Sequence, residues 1–316
     1  MRTLIVGAGA TGGFFGTRLV RAGRDVSYLV HAHRADQLRH GLRVYGPGYD
    51  ETVPVRALTA RELDGPYDLI LLMVKAWSLD AALEDITPAV GPGTTVLPLL
   101  NGLVHLQTLN DRLGRDAVLG GIVRVVCTVT PEGSVRQLKP KAGLVFGEQD
   151  GGLTERVSAI RQELAVPGYH VTLADDVLVA MWHKWAFIAA GATMTCLMRG
   201  SIGSILAAPG GREFVLDVID ETERVARAAG YPPSAAAHAA SLEMFTEEGS
   251  VFTSSLYRDV LAGHAHEGEH LLGQYVAVAD RLGVDVPLTR LALMQLRVHD
   301  QNGSRPVGAP TVAVEG

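Results

Sequence analysis

The sequence predicts an α/β domain of the Rossmann type followed by an all-α domain. Three observations predict it. A Gly-x-Gly-x-x-Gly run stands between an N-terminal strand and a helix, short apolar strands alternate with helical segments as far as residue 174, and almost unbroken helical periodicity follows. With 316 residues the chain can build two cores. The boundary is expected at 174, giving a nucleotide-binding domain over 1–174 and a helical domain over 175–316.

Thr3 to Val6 is a short apolar run rich in β-branched residues, suited to a buried strand. Gly7, Gly9 and Gly12 follow, with Ala8, Ala10 and Thr11 between them, and Thr11 to Arg21 reads as a helix. Gly7 permits a tight turn, Gly9 lets a pyrophosphate approach the backbone, and Gly12 lets the helix lie close to the sheet. Phosphates would meet the free amides and positive dipole end of that helix. Asp25 to Val30 is the second strand. An NAD enzyme usually carries an acidic residue near its end, but this chain reads Val30-His-Ala-His-Arg34. His31, His33 and Arg34 suit a 2′-phosphate, so NADP(H) is expected over NAD.

Asp68 to Val74 and Thr94 to Leu100 are continuous apolar runs of the kind buried on both faces of a parallel sheet. They end in Val74-Lys75 and Asn101-Gly102, at the carboxyl edge where α/β ligands bind. Ser78 to Ile86 and Leu103 to Leu113 are the intervening helices. Ala117 to Thr130 reads as a further strand. Ser134 to Leu138 and Gly143 to Phe146 add a hairpin, with Pro131-Glu-Gly133 as the turn signal. Thr154 to Leu164 is an amphipathic helix and Tyr169 to Leu173 a last strand. Beyond it, Asp175 or Asp176 can cap a long helix to about Met198. Helices are expected at 211–229, 235–245, 254–261, 267–282 and 288–299, and the Gly- and Pro-containing tail from Gln301 is expected to fray.

Composition excludes several classes. The formal charge of −6 and the scattered basic residues argue against a nucleic-acid partner. The chain enters a strand directly, so no signal peptide is expected. No apolar stretch is expected to span a membrane, since the longest candidate, Val177 to Met198, is interrupted by His183, Lys184 and Gly191. Cys127 and Cys196 lie in apolar surroundings and read as reduced core residues. A cytoplasmic protein is expected. His264, His266, Glu267, Glu269 and His270 could suggest a metal, but no ligand spacing is recognisable, so they read as solvated helix-end side chains and no metal is expected.

Lys184 is the informative residue of the second half. On a helix its neighbours at three and four positions are Ala180, Met181, Phe187 and Ile188. A lysine in such a stripe is costly unless it reaches water or has a task. Desolvation disfavours the ammonium and makes it a better proton donor, so Lys184 is the expected general acid for an alkoxide formed by hydride transfer to a carbonyl.

Four stretches together resemble the ketopantoate reductase (2-dehydropantoate 2-reductase) family over nearly the whole chain. They are Gly7-Ala-Gly-Ala-Thr-Gly12; Val74-Lys-Ala-Trp77 with Asn101-Gly102; Trp182-His-Lys184; and Ser254-Ser-Leu-Tyr-Arg-Asp259 with Glu267. The resemblance implies a Rossmann domain, a helical domain like the C-terminal one of 6-phosphogluconate dehydrogenase, NADPH as reductant, a place in pantothenate biosynthesis and an active site between the domains. It implies Lys184 as the catalytic lysine, Asn101 near nicotinamide and substrate, and Lys75 near the cofactor. Ser255, with Ser254 beside it, is implied on the substrate and Glu267 on the cofactor ribose. A homodimer through exposed helices of the second domain is expected.

Departures from the family pattern bear on substrate. Asparagines usually lie one and two turns beyond the lysine, contacting the substrate, where this chain has Ile188 and Ala192. A further polar position is Ile202, and His31 stands for a usual arginine, with Arg34 nearby to compensate. A site with fewer hydrogen-bonding groups should bind ketopantoate poorly and favour a less polar 2-oxo acid or ketone. Two alternatives are an NADP-binding redox sensor without catalysis and a 3-hydroxyacid or polyol-phosphate dehydrogenase of the same plan.

Overall fold

The computed structural model describes residues 1–303. The chain falls into two compact units, Met1–Trp182 and His183–Gly316. The first unit is built on β1 (Arg2–Val6), α1 (Ala10–Arg21), β2 (Asp25–Leu29), α2 (Ala32–Gln37), β3 (Leu42–Gly46), β4 (Tyr49–Val53), β5 (Arg56–Leu58) and β6 (Leu69–Leu72). It continues with α3 (Leu79–Asp85), β7 (Thr95–Pro98), α4 (His105–Leu113), β8 (Gly120–Arg124), β9 (Cys127–Val129), β10 (Val135–Gln137), β11 (Gly143–Gly147), α5 (Glu155–Leu164) and β12 (His170–Leu173). The main sheet is parallel, in the order β5-β2-β1-β6-β7. The order reverses between β1 and β6, which is the switch point of a doubly wound sheet.

The alternation of side chains explains the continuous apolar runs. In β6, Leu69 and Leu71 join the core under α1 and α5, while Ile70 and Leu72 join the core under α3 and α4. In β1, Ile5 belongs to the first core and Leu4 and Val6 to the second. Two smaller sheets, β4-β3-β10-β9 and β12-β11-β8, complete the unit. The expected strand over 117–130 is two strands in different sheets. β8 pairs with β11, and β9 forms a hairpin with β10 around Gly133, whose φ is +82°, so the turn signal is met there while β10 and β11, expected to pair, lie in different sheets. The β3–β4 hairpin and α2, absent from the sequence expectations, fill residues 32–53.

The second unit is helical. The elements are α6 (Val177–Met198), α7 (Ile202–Leu206), α8 (Gly211–Ala228), α9 (Ala235–Phe245), α10 (Ser255–Leu261), α11 (Gln274–Arg281) and α12 (Pro287–Gly303). A π-helical turn, Glu269–Gly273, precedes α11, so the helix expected over 267–282 is not regular at its start. Ala190, Met194, Ile202, Ile205, Val215, Val218, Ile219 and Phe245 form one of its cores. The polar position read at 202 is therefore a packing residue. Asp176 accepts the amide of Val179 and starts α6. Val177 and Met181 pack into the core of the sheet unit, so that unit extends past 174. One expectation is corrected. The stretch Val177–Met198 is a single 22-residue helix, long and apolar enough to cross a membrane by length and composition. His183, Lys184 and Gly191 do not break it. Since 61% of its most apolar window is buried inside the fold, it reads as a core helix. The tail from Ser304 lies outside the described residues, and 301–303 continue α12.

Candidate active site

In the first unit the candidate residues lie at the carboxyl edge of the parallel sheet. Register holds the strand ends level: Gly7 donates to the Leu29 carbonyl at 3.0 Å, Met73 to Val6 at 3.0 Å and Leu99 to Leu72 at 2.9 Å. Gly7–Gly12, Val74 and Asn101 thus gather around the switch point. Gly7 has φ +99°, and a Cβ there would lie 3.3 Å from Val74 Cγ1. A Cβ on Gly12 would fall 1.9 Å from the Gly7 carbonyl oxygen, so α1 passes too close for any other residue. A Cβ on Gly9 would meet nothing within 4 Å. The space above Gly9 is open, as a cradle for a ligand requires.

Gly9 is the N-cap of α1 and offers no side-chain cap, and no acidic residue occupies the first turn. The first intrahelical bond runs from Gly13 N to Gly9 O at 2.8 Å, which leaves the amides of Ala10, Thr11 and Gly12 pointing out of the helix. Such an end binds anions. The residues present fit the pyrophosphate of a dinucleotide.

Arg34 lies against this turn. Its Nη2 donates to the Ala8 carbonyl at 2.9 Å and to the Gly133 carbonyl at 2.9 Å, and its Nη1 donates to Gln37 Oε1 at 2.9 Å. Burial pulls its pKa below the usual guanidinium value, with Tyr28 opposing. Most of its donors are engaged by backbone, so Arg34 shapes the glycine turn and leaves little of its fork for a phosphate. His31 is exposed at the N-cap of α2 without a side-chain capping bond. Lys75 is exposed before a short 3₁₀ turn, with its ammonium 5.6 Å from the Trp77 ring centre.

The second unit carries its own candidates, beginning on α6. Lys184 and Ile188, one turn apart, are both half-buried, whereas Ala192 is fully buried. Trp185, which sequence reasoning passed over, is 1% exposed and donates its indole N–H to the Leu271 carbonyl at 3.1 Å. It also packs edge-on to Tyr275 at 4.9 Å, and Tyr275 donates to the Thr222 carbonyl at 2.6 Å. The residue beside Lys184 is therefore fixed to the π turn and α8. A tryptophan directly after the lysine was the available signal.

Ser254 and Ser255 have different surroundings. Thr195 donates to the Gly191 carbonyl at 2.6 Å, so the 2.7 Å contact between Ser254 and Thr195 is a donation by Ser254. Ser254 also accepts the Tyr257 amide as the cap of α10. Its hydroxyl is occupied by the fold, and the exposed Ser255 is the one open to a ligand. Glu267 is half-buried, and its carbonyl accepts the Leu271 amide at 2.8 Å. The nearby His266 differs from expectation: its side chain is only 7% exposed and bonds to Asp300. Among the described residues no group of His, Cys, Asp or Glu has the arrangement of a metal site. Cys127 and Cys196 are free thiols, and burial pushes both up to about 12, which leaves them protonated and poor nucleophiles.

Residues 3–151 match the family model described as Ketopantoate reductase PanE/ApbA, and residues 176–300 match the model of its C-terminal domain. An uncharacterized oxidoreductase of Bacillus subtilis, YkpB, is 31% identical over 95% of this chain and 99% of its own. The crystal structure of 2-dehydropantoate 2-reductase from Geobacter metallireducens superposes with a TM-score of 0.85 at 27% identity, covering 94% of this chain and 99% of that one. D-Mandelate dehydrogenase, solved with NADH and anilino(oxo)acetate, superposes with a TM-score of 0.85 at 20% identity over 96% of this chain and all of its own, a likeness of fold.

Proposed function

The chain belongs to the ketopantoate reductase family of oxidoreductases, and from that premise we propose that it reduces a 2-oxo acid, ketopantoate or a less polar relative, to the 2-hydroxy acid with NADPH. Bound at the glycine turn, the cofactor supplies the hydride. The amides of α1 and the turn Gly7–Gly12 hold its phosphates, with Val74, Lys75 and Asn101 at the same sheet edge. Exposed His31, without an acidic neighbour at the end of β2, favours the 2′-phosphate form over NADH. Lys184 donates the proton to the carbonyl oxygen, and Ser255 binds the substrate's polar end.

The observation that carries the reading is Lys184 itself. It is a half-buried lysine on an apolar helix, and its neighbour Trp185 is locked in place. A charge so placed, and so braced, fits a proton donor better than a surface solubiliser. Ile188 and the buried Ala192 supply no hydrogen bonds, which favours 2-oxo acids with apolar substituents. The same reading places the protein in the cytoplasm, as its composition suggests, and makes it a homodimer through exposed helices of the second unit.

The test is oxidation of NADPH, followed by absorbance, against a panel of 2-oxo acids that includes ketopantoate. Turnover on at least one member, falling by about 10²–10⁴-fold in Lys184→Ala, is expected. Tight NADPH binding with no turnover on any member would instead make the protein a sensor. Preference for NADH would remove the role given to His31.

A further inference from the structure

Glu267 must be held in place if it touches the cofactor, yet it stands in a stretch, residues 264–267, with no helix or strand. The residue before it is the unusual one. The His266 side chain is 7% exposed and makes two bonds in opposite directions. Its Nδ1 lies 3.3 Å from the Gly268 amide, and its Nε2 lies 2.8 Å from Asp300 Oδ1 on α12. A backbone N–H can only donate, so Nδ1 accepts and Nε2 carries the proton given to the carboxylate. The tautomer is thereby fixed.

Gly268 is matched to this imidazole. A Cβ there would lie 3.0 Å from His266 Nδ1 and 3.1 Å from Leu296 Cδ1. On the far side of Glu267 the chain is held again. The Leu271 amide bonds to the Glu267 carbonyl, and the Leu271 carbonyl receives Trp185 of α6. Glu269 pairs with Arg297 of α12 at 2.9 Å. The π turn Glu269–Gly273 starts immediately after, and such turns cluster at functional sites. Glu267 is thus bracketed, with α12 holding the residue before it, and α12 and α6 together holding the residues after it.

We propose that His266, oriented by Asp300, is a positioning residue that sets Glu267 for the cofactor. The inference rests on the proposed cofactor role of Glu267. It predicts that His266 acts on NADPH only through Glu267.

The experiment is titration calorimetry with NADPH on the full chain and its variants, each checked for folding by circular dichroism. Glu267→Ala should raise Kd about tenfold, the size of one charge-assisted hydrogen bond. His266→Ala should raise it several-fold, and His266→Ala with Glu267→Ala should bind no worse than Glu267→Ala alone. Asp300→Ala should follow His266→Ala, whereas Asp300→Asn, which keeps an acceptor for Nε2, should bind as the parent does. This Asp300 pair decides the matter if His266→Ala does not fold. An unchanged Kd in Glu267→Ala would remove the cofactor role of Glu267, and the positioning role with it. A weakened Glu267→Ala beside His266→Ala and Asp300→Ala variants that bind normally, or whose effects multiply with that of Glu267→Ala, would overturn the positioning role alone.

Discussion

Gly9 and Gly12 separate folding from binding within one turn. Gly9 has φ −81° and ψ −161°, an extended conformation open to any residue, and empty space where a Cβ would go. Gly9→Ala should leave stability within about 0.5 kcal/mol of the parent. It should nevertheless raise the Kd for NADPH by about tenfold or more, because the methyl group occupies the phosphate's place. Gly12→Ala should do the opposite first. Its Cβ would meet backbone, the Gly7 carbonyl, at 1.9 Å, and backbone cannot swing aside as a side chain can. A loss of about 1–3 kcal/mol or more is expected from urea unfolding. If Gly9→Ala bound NADPH as tightly as the parent, the turn would not be a phosphate cradle. The sequence made these glycines legible because each is required by a local clash or approach. The role of Arg34 was legible only as a charge. That its guanidinium is engaged by Ala8 and Gly133 depends on a turn 99 residues away, which no local pattern reports.

Among the elements, α12 has a start that its own sequence does not explain. Its N-terminus reads Asp285-Val-Pro287, and the apolar Val286 cannot cap a helix. The missing cap comes from α8. Glu221, 1% exposed, accepts the Leu288 amide at 3.0 Å, the Thr289 amide at 2.7 Å and the Thr289 hydroxyl at 2.7 Å. Pro287 has no amide to satisfy, so one carboxyl group completes the helix end. Glu221→Gln keeps the shape but turns an –NH₂ toward an N–H. The expected loss is about 2–3 kcal/mol in urea unfolding followed by circular dichroism. No loss would mean that water reaches this end of α12. The same distinction decides which elements were legible. Strands β1, β6 and β7 are buried on both faces, so their apolar stretches, Leu4, Ile5 and Val6 in β1 and Leu69–Leu72 in β6, are plain in the sequence. β3 and β4 carry Arg43, Asp50 and Thr52 on an exposed face and escaped notice. The break between β8 and β9 falls at Val125 and Val126, where apolar character continues although the chain changes sheets.

For the molecule as a whole, the sequence placed the change of architecture where the strands end, at 174. Periodicity reports which residues are helical, and it is silent about which core a helical face enters. The first turns of α6 enter the core of the sheet unit: Val177 and Met181 belong to the same core as Leu4, Val6, Ile70 and Leu106. Gly120 at the start of β8 lies opposite Val177, and a Cβ there would come 2.4 Å from Val177 Cγ1. A fragment ending at 174 lacks both side chains and opens that core to water. At about 1.5–3 kcal/mol for each buried apolar side chain, it should be about 3–6 kcal/mol less stable than a fragment ending at 182. The longer fragment should therefore unfold in one sharp thermal transition, while the shorter one should melt broadly or aggregate. Equal melting of the two would show that α6 contributes nothing to the sheet unit. The foot of the helix that carries Lys184 would then be free of the core beside the nucleotide turn.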